Sequence, residues 1–109
     1  MTVRSKQLGI ANPVTTAGNN IYTVPANTRA IVKSIYLENL HTAAQRIVIG
    51  VKSGSTILAQ MVVTPGAVNS ATETAFLNVW FVMSAGQVLN ILPLLGNCEV
   101  IVSGAELPL

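Results

Sequence analysis

The chain has 109 residues, half of them apolar, with six basic and four acidic side chains and a formal net charge of +2. That length suits one domain and leaves no room for a second. Charged residues make up 9% of the chain, against roughly a quarter in an ordinary soluble domain, so part of its outside is expected to be covered by another chain. The basic residues are scattered rather than clustered, which argues against a nucleic-acid footprint, and no apolar run approaches the ~18 residues of a membrane helix.

Residues 1–19 carry Arg4 and Lys6, then Leu8 and Ile10, then Asn12-Pro13, Gly18 and Asn19-Asn20. No apolar stretch of about 7–15 residues follows the basic pair, so no secretory signal is expected. The segment lacks a period and reads as an extended N-terminal arm ahead of a single β-sandwich domain over 20–109. Two placements are open for it. Leu8 and Ile10 either add as a strap to a sheet edge of a neighbour, with Arg4 and Lys6 meeting acidic groups there, or form an extra edge strand within the chain.

Val, Ile and Thr together number 33 of the 109 residues, and beyond residue 20 they come in short bursts. Gly, Pro, Asn and Ser separate the bursts, which is a β pattern. Strands are predicted over 20–24, 28–39, 45–53, 55–64, 73–83, 87–92 and 97–104. Turns are predicted at Pro25-Ala26-Asn27, Ser53-Gly54-Ser55, Pro65-Gly66, Ala85-Gly86 and Gly96-Asn97. Along 29–39 the alternation slips, since Ala30 and Val32 have one parity and Ile35 and Leu37 the other; a bulge near Lys33-Ser34 brings both pairs into one core. Ile47, Ile49 and Val51 alternate with Arg46, Val48, Gly50 and Lys52, so that strand is half buried. In the next strand Ile57, Ala59, Met61 and Val63 carry the apolar face.

The strand over 73–83 is apolar on both sides. Leu77, Val79 and Phe81 supply the core, and Phe76, Trp80 and Val82 occupy a second face that wants a partner. Leu89 and Ile91 return to the core, and Cys98, in phase with Val100 and Val102, reads as a buried small hydrophobe. Seven strands, or eight with the N-terminal one, make an all-β, two-sheet antiparallel sandwich.

Residues that could carry chemistry are sparse. There is one His, His41, no Asp, and four isolated Glu: Glu38, Glu73, Glu99 and Glu106. A nucleophile–base–orienter set cannot be assembled from them, and Glu38 with His41 reads as a solvated loop contact. Cys98 and His41 lie too far apart for a local zinc motif. No catalytic residue, cofactor or metal is expected. Trp80 and Tyr36 could stack on bases or sugars, but neither has the surrounding basic or carboxylate-rich residues, so they read as core or interface aromatics.

The stretch Ile21–Asn39, IYTVPANTRAIVKSIYLEN, resembles a pattern of small tailed-phage virion proteins: a hydrophobic–aromatic pair, Thr-Val-Pro-Ala, then a β-rich strand ending in Asn. Thr74 to Met83, the turn and strand over 84–89 and the closing segment over 99–107 fit the same pattern, so the likeness covers about residues 20–107. Gln87 stands where members of the group often carry an acidic residue. The resemblance implies a jelly-roll-like sandwich that sits on a capsid or tail, as a homo-oligomer with a trimer favoured. Its implied partners are the major capsid protein or other virion proteins, and its place is the virion after synthesis in the bacterial cytoplasm. The expected function is therefore non-enzymatic, a capsid decoration or cement subunit. A tail, neck or fibre subunit is the alternative within that class. A carbohydrate-binding β-sandwich module is the alternative outside it, disfavoured by the absence of Asp and few aromatics. The expected interface residues are Arg4, Lys6, Leu8, Ile10, Phe76, Trp80 and Val82.

Overall fold

The alternation in the sequence resolves into eight strands in the computed structural model, which describes residues 4–109 and their side chains except those of residues 4, 5 and 12–14. The strands are β1 (Arg4–Val14), β2 (Asn19–Thr23), β3 (Thr28–Asn39), β4 (Ile47–Ser53), β5 (Thr56–Val63), β6 (Thr74–Ser84), β7 (Val88–Pro93) and β8 (Cys98–Pro108), with no helix among the described residues. They form two four-stranded antiparallel sheets, sheet A in the order β1-β8-β3-β6 and sheet B in the order β2-β7-β4-β5. β1 pairs with β8, β2 with β7, β3 with β6 and β4 with β5. The chain is thus one long hairpin, rolled until β3 also meets β8 and β4 also meets β7. This is the jelly-roll arrangement.

Of the two placements open for the N-terminal segment, the structure holds the strand over Arg4–Val14 in the within-chain one. Arg4 lies opposite Glu106 and Ile10 opposite Ile101, so β1 is an edge strand of sheet A and the sandwich includes it. The physical reason lies in β8, which continues to Pro108 rather than ending near residue 104. Its final residues offer backbone groups on both sides, and β1 satisfies the side that β3 leaves open.

The bulge in β3 is present: its ladders with both β6 and β8 slip between Val32 and Ser34. Ala30, Val32, Ile35 and Leu37 are all fully buried as a result. Ile47 and Ile49, Leu89 and Ile91, and Cys98, Val100 and Val102 complete the core, with Val51, Met61, Leu77, Val79 and Phe81 packed at its margin. Ile57 departs from the expected face. A register shift at Val51/Lys52 sets it opposite Lys52, and it is 57% exposed. The β4–β5 turn has Gly54 first, at φ 60°, the left-handed conformation that suits a two-residue hairpin turn. Asn27 and Asn97 take the same region in two other turns, as Asn tolerates it.

Candidate self-association surface

Two polar clusters are consumed inside the subunit. At one end of the sandwich, Asn39 and Gln45 are buried. Asn39 Nδ2 donates to the carbonyls of Ala43 (3.0 Å) and Gly66 (2.8 Å), while its Oδ1 accepts from His41 N (3.0 Å) and Gln45 Nε2 (2.7 Å). Gln45 Nε2 also donates to the Gly96 carbonyl (2.6 Å), and Gln45 Oε1 accepts from Leu95 N (3.0 Å). Three loops, 40–46, 64–73 and 94–97, are fastened by these two side chains. No buried side-chain nitrogen or oxygen among the described residues lacks a partner. The sequence did carry a signal for this pair, because Asn39 is in phase with Ile35 and Leu37, and Gln45 with Ile47 and Ile49.

At the opposite end, Glu106 accepts from Lys6 Nζ at 2.7 Å and from Tyr22 Oη at 2.5 Å. The Lys6 bond and then the Tyr22 bond hold the Glu106 carboxyl below the ordinary carboxylate range, with burial pulling weakly the other way. Burial, then the Glu106 bond, pushes the Tyr22 hydroxyl upward. A depressed carboxylate stabilises the fold above its unfolded-state pKa of ~4.3, and that contribution is lost as pH falls through the folded value. Glu106→Gln is therefore expected to be about 1 kcal/mol less stable than the parent at pH 7, since Lys6 is half exposed and screened by solvent. The difference should shrink below pH 4, which melting curves across pH 3–7 would show; a constant difference across that range would contradict the assignment.

The expected interface residues separate into two groups. Lys6 is engaged by Glu106 of its own chain and Leu8 packs partly buried against the core; Arg4 stands opposite Glu106 in the β1–β8 ladder, and its side chain lies outside the described residues. Ile10, Phe76, Trp80 and Val82 share the outer face of sheet A, exposed by 60%, 60%, 69% and 54%. Register joins Ile10 to Ile101, Ile101 to Tyr36 and Tyr36 to Phe76, so one apolar row crosses all four strands. A second row pairs Val82 with Ile31. Between them Trp80 carries the Lys33 ammonium 5.4 Å from its ring centre, a cation–π contact that keeps the indole on the surface. Glu38 and Glu99 stand opposite one another beyond the first row, and Arg29 lies beyond the second.

The outer face of sheet B was not singled out by sequence reasoning, and it too is apolar. Leu92, Val48 and Val62 form a row across β7, β4 and β5, with Leu92 and Val62 exposed by 42% and 44%. Arg46 and Lys52, in phase with Val48, bring the charge on this face. β5 and β6, the edge strands on one flank, contain no charged residue, whereas natural edges are usually guarded by charge, proline or bulges. An apolar cleft opens between them, lined by Ile49, Val51, Met61 and Phe81.

The groups that could act chemically are dispersed or occupied. His41 Nδ1 accepts the Ala43 N–H at 3.2 Å, and no three of His, Cys, Asp and Glu gather among the described residues. Burial pushes the Cys98 thiol up to about 11, and its sulfur sits within the core, out of reach of a neighbouring copy.

No family model matches the chain, and no curated protein does. Solved structures do share the fold. The chain superposes on a subunit of the disulfide-linked pili of Bacillus endospore appendages with a TM-score of 0.58 and 18% identity, over 99% of this chain and 89% of that one. It superposes on the Drosophila NLP core, described for pentamer formation and histone binding, with a TM-score of 0.50 and 13% identity, over 98% of this chain and 99% of that one. A pentameric capsid protein isolated from metagenomic phage sequences gives a TM-score of 0.41 at 19% identity, over 92% of this chain and 61% of that one. For the first two, at such identities, the likeness is one of fold.

Proposed function

We propose that this chain is a non-enzymatic structural subunit that assembles with copies of itself and serves in a phage virion, as a capsid decoration or cement protein. The observation that carries the reading is the outer face of sheet A. Exposed Phe76, Trp80, Val82 and Ile10 lie there on a rigid jelly roll, and an apolar face with aromatic anchors is what interfaces use. Two proteins of the same fold are described as assemblies, one as pili and one as a pentamer. The virion assignment rests on the resemblance of Ile21–Asn39 and the later segments to small tailed-phage proteins, which also favours a trimer and the major capsid protein as partner.

Imaging purified particles of the phage that encodes the chain, together with their protein composition, tests this reading. Density for an eight-stranded jelly roll on the capsid surface, with the chain in stoichiometric amount, is the expected result. Density at the tail, neck or fibres would move the subunit to that location, and particles lacking the chain would overturn the virion role.

A further inference from the structure

We infer that two copies join edge to edge, β6 of one pairing antiparallel with β6 of the other about a two-fold axis at Val79, so that their A sheets become one sheet of eight strands. The inference rests on the self-association proposed above and names the edge at which the copies meet. On the flank formed by β1 and β2 the edges are guarded. β1 carries Arg4 and Lys6 and its ladder slips twice, and β2 has only five residues, devices that keep a sheet from adding strands. β6 has no such guard. It runs for eleven residues without charge or proline, and the slip in its ladder with β3 leaves its own alternation of exposed and covered residues unbroken from Thr74 to Ser84. An outer edge this long and regular offers roughly ten main-chain hydrogen bonds to a strand of equal length, about as many as a typical protein interface makes. β5 is uncharged too, but it is eight residues long and its ladder slips beside Lys52.

A second copy of β6 is the strand that fits this edge. With Val79 on the axis, Phe76 stands opposite Val82 of the second copy on the outer side, and the Asn78 amide lies against the indole of Trp80. On the inner side Leu77 meets Phe81 of the second copy and Ala75 meets Met83. Cross-strand pairs of this kind stabilise a sheet, and no position sets like charges together. The row Ile10–Ile101–Tyr36–Phe76 then runs on into Val82 and Ile31 of the second copy, continuous with the surface on which the self-association reading rests. Leu77, Val79 and Phe81, only partly buried against their own core, are covered by their counterparts.

Cysteines placed on the exposed side of β6 test the register in the full chain, since the native Cys98 is buried and stays out of the reaction. Phe76→Cys and Val82→Cys both alter exposed residues. Residues directly opposite one another have Cα atoms about 4.5–5.5 Å apart, within reach of a disulfide. Two copies of position 76, or two of position 82, lie six residues out of register, about 20 Å apart. Mixed one to one at tens of micromolar in oxidised glutathione, the two variants should give a disulfide-linked heterodimer, and neither alone should link. Linkage of either variant to itself, or none in the mixture, overturns the edge pairing.

Asn78→Lys separates the edge from the face. The position is exposed, so the fold and its melting temperature should match the parent's, and Phe76, Trp80 and Val82 stay intact. The substitution gives β6 the charge it lacks and brings two ammonium groups together diagonally across the axis. Sedimentation velocity at tens of micromolar should show self-association weakened at least tenfold. Assembly equal to the parent's would mean that copies meet through the face or through β5, and would overturn the pairing while self-association stands. A parent chain that is monomeric at the same concentration would overturn the self-association reading and the pairing with it.

Discussion

Asn39→Ala is expected to unfold about 3–5 kcal/mol more readily than the parent, the largest loss for any single polar side chain. The substitution strips partners from four groups at once: the carbonyls of Ala43 and Gly66, the His41 N–H and the Gln45 amide. A buried group left without its hydrogen bond costs about 1–3 kcal/mol, and water entering at the loop end recovers part of the sum. Because β3 leads from the core directly into this network, the loss should reach the whole sandwich rather than loosen one loop. Urea titration would show a lower midpoint with an unchanged slope. A midpoint within 1 kcal/mol of the parent would mean that the three loops hold together without Asn39.

Gly104→Ala should cost about 2–4 kcal/mol, although it adds only one methyl group. A Cβ at Gly104 would overlap the Ile31 carbonyl oxygen and press on the Leu8 side chain. Ile31 sits beside the β3 bulge, and its position is set by ladders with β6 and β8 together, so its backbone cannot retreat without breaking pairs on both sides. Overpacking a rigid site of this kind typically costs 1–3 kcal/mol and occasionally more. Gly50→Ala is the control, since the nearest atom to its Cβ would be the Ala59 carbonyl oxygen at 3.9 Å, an ordinary contact. Thermal melts of the two variants should separate clearly; equal melting temperatures would show that β3 and β8 adjust at the bulge.

Much of this fold can be read in the sequence because buried strands leave a parity record. The change of phase between Val32 and Ile35 predicts the bulge, and the apolar second face of 73–83 predicts the exposed Phe76, Trp80 and Val82. The N-terminal strand is less legible for a physical reason. Its ladder slips between Gln7 and Gly9 and again between Ala11 and Val14, and a Cβ at Gly9 would strike the Ile21 backbone. Residues chosen for close approach to β2 thus erase the alternation that would mark β1 as a strand. Lys6 and Glu106 meet across 100 positions, and nothing local announces such a pair. Val48, Val62 and Leu92 come from three strands, and only the register reveals that they form one row.

Self-association through the outer face of sheet A is tested most directly by the emission of Trp80, the only tryptophan in the chain. It is 69% exposed in the isolated subunit, so dilution to monomer should give the emission of a hydrated indole. Raising the concentration through the micromolar range should shift that emission to shorter wavelength as the indole is buried between copies. An emission spectrum that keeps its hydrated position up to the highest concentration would show that this face stays in water and would contradict the account.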